Sequence, residues 1–321
     1  MRTLAVTNHK GGVGKTTVTY HLAGALRDSG FGRGLVIDAD DQANLTRALL
    51  PLEDCARLVA VTRDVLAHDD RSLPIVPSLI EGVDLVPARL DFVPIDRTVH
   101  DPDAQYRLQE ALEEVRGNYD FCLIDCPPSV GIATRAAIVA SDAVLVVLAP
   151  DEFSAVGIHS IGELLEQVRK RANPRVEIAG YLLNKVDPRR RNDRDLAAAL
   201  VASDAVRSKF LATRLSQSIR YVEAMAERRP ITSLENAGKY AQEMRALAGE
   251  LFPPKRENRA ADRAAGVGAG AKPVLSRVEG AFVTGAPRAV PKAFAPSSRG
   301  NAGGAAPRAQ VLKKARRERV R

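Results

Sequence analysis

One short run limits the fold of this chain more than any other. It reads Asn8-His9-Lys10-Gly11-Gly12-Val13-Gly14-Lys15-Thr16-Thr17 and sits between an apolar stretch and a helical pattern. Three glycines in four residues let the backbone wrap closely around an anion with its N–H groups turned inward. A helix starting directly afterwards adds the positive end of its dipole. Lys15 stands where an ammonium reaches the β- and γ-phosphates of a nucleotide, and the Thr16 hydroxyl stands where it would ligate Mg²⁺. Such a loop requires a buried strand to deliver the chain and a helix to carry it away.

The rest of residues 1–252 repeats that unit. Apolar runs at Arg2–Asn8, Gly34–Asp38, Val83–Pro87, Tyr119–Asp125, Ala143–Leu148 and Val176–Asn184 read as strands. Helical patterns cover Lys15–Ser29, Ala104–Arg116, Gly131–Ala140, Ile158–Arg171, Ser218–Arg228 and Ser233–Leu251. Strands with Leu, Val and Ile on consecutive positions are buried on both faces, which predicts a doubly wound, mostly parallel α/β sheet.

Charge divides the chain where the pattern stops. The net +8 is not spread evenly: residues 253–321 hold 16 Lys and Arg against 4 Asp and Glu, a net of +12. The first 252 residues are mildly acidic, at −4. In that last segment Ala, Gly and Pro supply 31 of 69 positions. Such a composition buries too little apolar surface to offset ordering entropy, so 253–321 is expected to be a disordered basic tail following one domain, 1–252. Residues 1–10 lack the apolar centre of a secretory signal, and the longest apolar stretch, Ala143–Pro150, is too short to span a bilayer. Three cysteines make no disulfide framework, and the expected location is the cytoplasm.

The loop departs from the general phosphate-binding pattern, which has Gly where this chain has His9, and it carries a second lysine, Lys10. With that lysine, K-G-G-V-G-K-T-T resembles the deviant Walker A loop of the ParA/MinD family of P-loop ATPases. Two further segments match that family in order. Asp38-Ala39-Asp40-Asp41-Gln42-Ala43-Asn44 is similar to its D-x-D-P-Q-G-N motif, with Asp41 in place of Pro and Ala43 in place of Gly. Phe121–Asp125 followed by Cys126-Pro127-Pro128 is similar to its Walker B strand and turn. The resemblance implies ATP held with Mg²⁺ by Lys10, Gly11, Gly12, Val13, Gly14, Lys15, Thr16 and Thr17. It implies a metal set of Thr16, Asp38 and Asp125, the last through water, and an attacking water oriented by Asp40. Lys15 acts in cis, and Lys10 reaches the nucleotide of a second copy in an ATP-dependent homodimer. Asn184, in Leu182-Leu183-Asn184-Lys185, falls where family members contact adenine; a structural asparagine is the other reading.

Within the family, metal-cluster members place their cysteines in pairs or at a dimer face. Cys55 stands alone, and Cys122 and Cys126 flank a buried strand as core thiols. Membrane-bound division-site regulators end in a bulky amphipathic helix. Here only Val311, Leu312 and Val320 lie near the end among many arginines. The resemblance is closest to partition ATPases, whose arginines for non-specific DNA fall at Arg189 and Arg220. It implies a nucleoid-associated protein that positions a plasmid, chromosome or other cargo and answers to a ParB-like adaptor. A membrane-surface spatial regulator is the alternative. The tail reads either as a second source of phosphate attraction or as a solubilising linker.

Overall fold

The computed structural model describes residues 1–68, 72–151, 154–187, 189–202 and 206–253. The basic tail expected to be disordered lies outside the described residues from 254 on. In chain order the elements are β1 (Arg2–Thr7), α1 (Lys15–Asp28), β2 (Gly34–Asp38), α2 (Asn44–Leu49), α3 (Leu52–Cys55), α4 (Thr62–Ala67), β3 (Val76–Pro77) and β4 (Val83–Val86). There follow α5 (Ala104–Val115), β5 (Phe121–Asp125), α6 (Ile132–Val139), β6 (Ala143–Leu148), α7 (Ser154–Arg171), β7 (Glu177–Val186), α8 (Arg191–Ala202), β8 (Phe210–Ser216), α9 (Arg220–Ala226) and α10 (Gly238–Leu251).

Among the described residues these strands form one sheet in the order β3-β4-β2-β5-β1-β6-β7-β8. Every pairing is parallel except the two-residue edge strand β3 on β4. The central strands are apolar and buried on both faces, so helices must cover each side. One face packs β1, β2 and β5 residues such as Leu4, Val36 and Leu123 against α1 and α10. The other packs Ala5, Ile37 and Ile124 against α5, α6 and α7.

The chain leaves β1 toward β2 on one side of the sheet and leaves β5 toward β6 on the other. A crevice therefore opens at the carboxyl ends of these strands. The register lines up the residues there: Val6 pairs with Asp125, and Asp38 with the same Asp125 across β5. The loop after β1 is thus brought beside both carboxylates, from positions far apart in sequence.

The doubly wound, mostly parallel sheet is the architecture expected, with corrections at its margins. Strand β7 runs to Val186 and so contains Asn184 rather than ending on it. Helix α7 begins at Ser154, ahead of Ile158, and α10 begins only at Gly238, because Ile231–Ser233 forms a separate 3-10 turn. Helices α2, α3, α4 and α8 and strands β3 and β8 were not anticipated. The first three and β3 are six residues or fewer, too short for a periodic signal. Residues 213–216 form the end of β8, an edge strand with few buried positions.

Candidate nucleotide site

The glycine loop is anchored before it turns. The Asn8 amide donates to the Val147 carbonyl of β6 at 2.7 Å, and its Oδ1 accepts the Lys10 N–H at 3.1 Å. Val13 turns its side chain into the core, which leaves its backbone to the loop. Gly14 has φ 95°, a conformation L side chains rarely adopt, and its carbonyl accepts the Val18 N–H that starts α1. From the first residue of α1, Lys15 folds back under the loop. It is 6% exposed and its Nζ donates to the Lys10 carbonyl at 3.3 Å. Burial pushes this ammonium below its ordinary range, opposed chiefly by the field of Asp125. A phosphate in the loop would supply the missing counter-charge.

Two consecutive residues of β7 grip the loop from the far side. Asn184 Nδ2 donates to the Val13 carbonyl at 2.7 Å, and Lys185 Nζ donates to the Gly12 carbonyl at 2.6 Å. Lys185 itself has φ 59°. One N–H of the Asn184 amide is thus engaged by the loop backbone, which leaves its second N–H and its Oδ1 for other partners. Lys185 was not singled out from the sequence, and nothing in its local pattern marks it.

Asp38 and Asp125 end neighbouring strands, and both are fully buried. Asp38 accepts the Thr46 N–H and hydroxyl, each at 2.8 Å, and the Asp40 N–H at 3.2 Å. Its carboxyl is pushed up to about 6 by burial, against the pull of those hydrogen bonds. Asp38 therefore braces the turn that follows β2. Asp125 differs. Its Oδ1 accepts the Thr19 hydroxyl at 3.3 Å, and its Oδ2 is buried without a hydrogen-bond partner. Burial, and then the nearby Asp38, raise its carboxyl well above the carboxylate range. An orphaned carboxylate oxygen beside a threonine hydroxyl is a fitting seat for Mg²⁺, which takes oxygen ligands and keeps most of its shell as phosphate and water.

The turn after β2 contains both departures from the family motif. Asp40 O accepts the Ala43 N–H at 2.8 Å, closing a four-residue turn with Asp41 second and Gln42 third. Asp40 Oδ1 accepts the Gln42 N–H at 3.0 Å, an Asx turn that fixes its carboxylate at the rim of the site. Pro is favoured at the second place of such a turn. Ala43, where the family has Gly, is held at φ 51°.

Lys10 lies on the rim. Its Nζ forms an ion pair with Asp151 Oδ2 at 2.8 Å, with side chains 34% and 29% exposed. Within a single chain the second lysine is thus held in cis, by a residue that no local sequence motif marks. Arg189 and Arg220 follow β7 and β8, which pair Val186 with Ser216 at the same end of the sheet. Arg189 bonds Asp187 at 3.0 Å and is 87% exposed, and Arg220 is 53% exposed. Cys122 and Cys126 are buried, with thiols pushed up by burial. Among the described residues no cluster of His, Cys, Asp and Glu could cage a metal, and no helix is long and apolar enough to cross a membrane.

Comparison with known proteins bears on the family and the fold. Residues 1–178 match a family described as an AAA domain. The chromosome partitioning protein ParA of Caulobacter vibrioides is 33% identical over 267 residues, covering 81% of this chain and 97% of that protein. The sporulation initiation inhibitor protein Soj of Bacillus subtilis is 30% identical, covering 77% and 97%. Among solved structures, cobyrinic acid a,c-diamide synthase from Mycobacterium smegmatis, with bound ATP analog and magnesium, superposes with a TM-score of 0.62 at 29% identity, covering 70% and 93%. The septum site-determining protein MinD of Pyrococcus horikoshii, complexed with Mg-ADP, gives 0.61 at 26%, covering 78% and 96%.

Proposed function

The chain belongs to the ParA/MinD family of P-loop ATPases, and from that premise we propose that it is a partition ATPase whose ATP-bound dimer holds DNA. ATP lies in the loop of residues 10–17 with Mg²⁺ beside Thr16 and Asp125, and Asp38 braces the turn that carries Asp40. Phosphoryl transfer is mostly positioning and electrostatics, because negative charge spreads over the γ-oxygens in the transition state. Lys15 and the loop N–H groups supply positive field in cis, and Asp40 orients the attacking water. Lys10 leaves Asp151 and crosses to the nucleotide of a second copy, so that ATP and dimerisation are linked.

One observation carries this reading. The loop holds two lysines in different states: Lys15 is buried beneath it, and Lys10 sits on the rim in a one-third exposed ion pair. An exposed pair of this kind is worth at most about 1 kcal/mol, so a triphosphate outcompetes it readily. Arg189 and Arg220, on segments leaving one end of the sheet, form the DNA-facing surface, with Asn184 at the wall of the base pocket. Residues 253–321 form a separate basic segment with phosphate affinity of its own. A ParB-like adaptor on the cargo, plasmid or chromosome, stimulates weak hydrolysis and releases the dimer from the nucleoid in the cytoplasm.

The test is DNA retention with Mg·ATP. Lys10→Ala should abolish ATP-dependent dimerisation and DNA retention while leaving monomer folding intact; retention in that variant sinks the scheme. Asp40→Ala should accumulate on DNA with little phosphate release. Anionic liposomes provide the competing surface: binding there, with no DNA retention, would assign the chain to membrane-surface regulation instead.

A further inference from the structure

Residue 41 is held at three atoms by groups from outside its own turn. Its carbonyl accepts the Asp91 N–H at 3.0 Å and its Oδ2 accepts the Ile95 N–H at 3.0 Å. Its Oδ1 lies 3.5 Å from the guanidinium of Arg63, in α4. That guanidinium is 17% exposed and is itself pinned: Nη1 meets Asp91 Oδ2 at 3.0 Å and the Val93 carbonyl at 2.7 Å, and Nη2 donates to the Thr98 hydroxyl at 2.7 Å. A lone surface ion pair would mean little. Here one mostly buried fork joins α4, the 91–98 segment and the turn after β2, and a planar guanidinium suits several fixed acceptors at once.

The residue so anchored is the neighbour of Asp40, whose own carboxylate is tied within the turn to Gln42 N–H. We propose that Arg63 and Asp41 are positioning residues for ATP hydrolysis, fixing the Asp40 carboxylate by clamping the second place of its turn. The proposal rests on Asp40 acting on the attacking water. It also gives Asp41 a physical role. Proline at this place would preset the turn by its ring. Asp41 lacks that restriction and obtains the same rigidity through tertiary contacts. Misplacing a reacting group by about 1 Å costs up to about a hundredfold in rate, so loosening a turn whose other brace, Asp38, remains should cost less.

The experiment is steady-state phosphate release by the full chain with saturating Mg·ATP, alongside KM and thermal stability. Arg63→Ala and Asp41→Ala should each lower kcat roughly tenfold with KM changed by less than twofold, and the double variant should lose no more than either single one. Asp41→Pro should recover most of the rate, because the ring supplies the restriction that the clamp provided. In an Asp40→Ala background, Arg63→Ala should have no further effect. A folded Arg63→Ala with wild-type kcat overturns the proposal, as does an Asp41→Pro no faster than Asp41→Ala. Should Arg63→Ala fail to fold, Asp41→Asn decides, since it keeps the shape but removes the charge and turns one of the two accepting oxygens, which face Arg63 and the Ile95 N–H, into a donor: a drop in kcat supports the clamp, and an unchanged kcat refutes it. Wild-type hydrolysis by Asp40→Ala alone would instead remove the underlying reading of Asp40, a result separable from all of these.

Discussion

Replacing Gly14 by Ala should damage the site in two ways that a double-mutant cycle separates. The first lies in the backbone: at φ 95° an L residue costs about 1–2 kcal/mol. The second lies across the loop, where the new methyl would overlap Asn184 Nδ2. Asn184 is only 6% exposed and cannot swing into water, and its 2.7 Å hydrogen bond to Val13 O must break. An unpaired buried polar group costs about 1–3 kcal/mol. Together these give roughly 2–5 kcal/mol, which for a domain of this size lowers the melting temperature by about 5–15 °C. Calorimetry on nucleotide-free protein measures the first number. Repeating the substitution in an Asn184→Ala background, where nothing remains to collide, should return only the backbone part. The coupling energy between positions 14 and 184 should therefore be about 1–3 kcal/mol. Equal costs in the two backgrounds would refute the claim that Asn184 clamps the loop.

Three other outcomes follow from the charges around the site. Burial holds the Asp38 carboxyl at about 6, above its unfolded value, so it retains a proton that the unfolded chain has released. Its contribution is present below about pH 4 and lost as pH rises to about 6, up to about 3 kcal/mol. The stability difference between wild type and Asp38→Asn in nucleotide-free protein should slope downward across that window and flatten above it; an upward slope contradicts the burial argument. Asp125→Asn should raise the melting temperature of the nucleotide-free chain by several degrees, since a buried unpartnered carboxylate oxygen gives way to a neutral amide. The same variant should lose the Mg²⁺-dependent part of the ATP-induced thermal shift, and keeping it would place the metal elsewhere. Arg189→Ala and Arg220→Ala should each reduce the slope of log affinity against log salt for DNA by about 1, uniformly across sequences, as filter binding at several salt concentrations would show.

Much of this site was legible before any fold was drawn because its signals are local. A glycine loop between a strand and a helix, two lysines five residues apart, and a carboxylate ending an apolar strand are statements about neighbours in sequence. They place Lys15, Thr16, Asp38 and Asp125 with no knowledge of tertiary contacts. The grip of Asn184 and Lys185 on the loop spans more than 170 residues, and no periodicity encodes it. Asp151 and Arg63 read as ordinary surface charges until the chain brings Lys10 to one and Asp41 to the other. The short helices after β2 and the edge strand β8 were missed because short elements depend on what they pack against.

By itself the chain's order of apolar runs and glycines determined that phosphate would be met at the carboxyl end of a parallel sheet, because backbone geometry and strand burial are set within a few residues. Only the tertiary structure decided which side chains hold that loop and the turn of Asp40 in place. Those decisions belong to the packing of distant segments: hydrogen bonds and ion pairs between residues 22 to 173 positions apart form only once the sheet has fixed their distances.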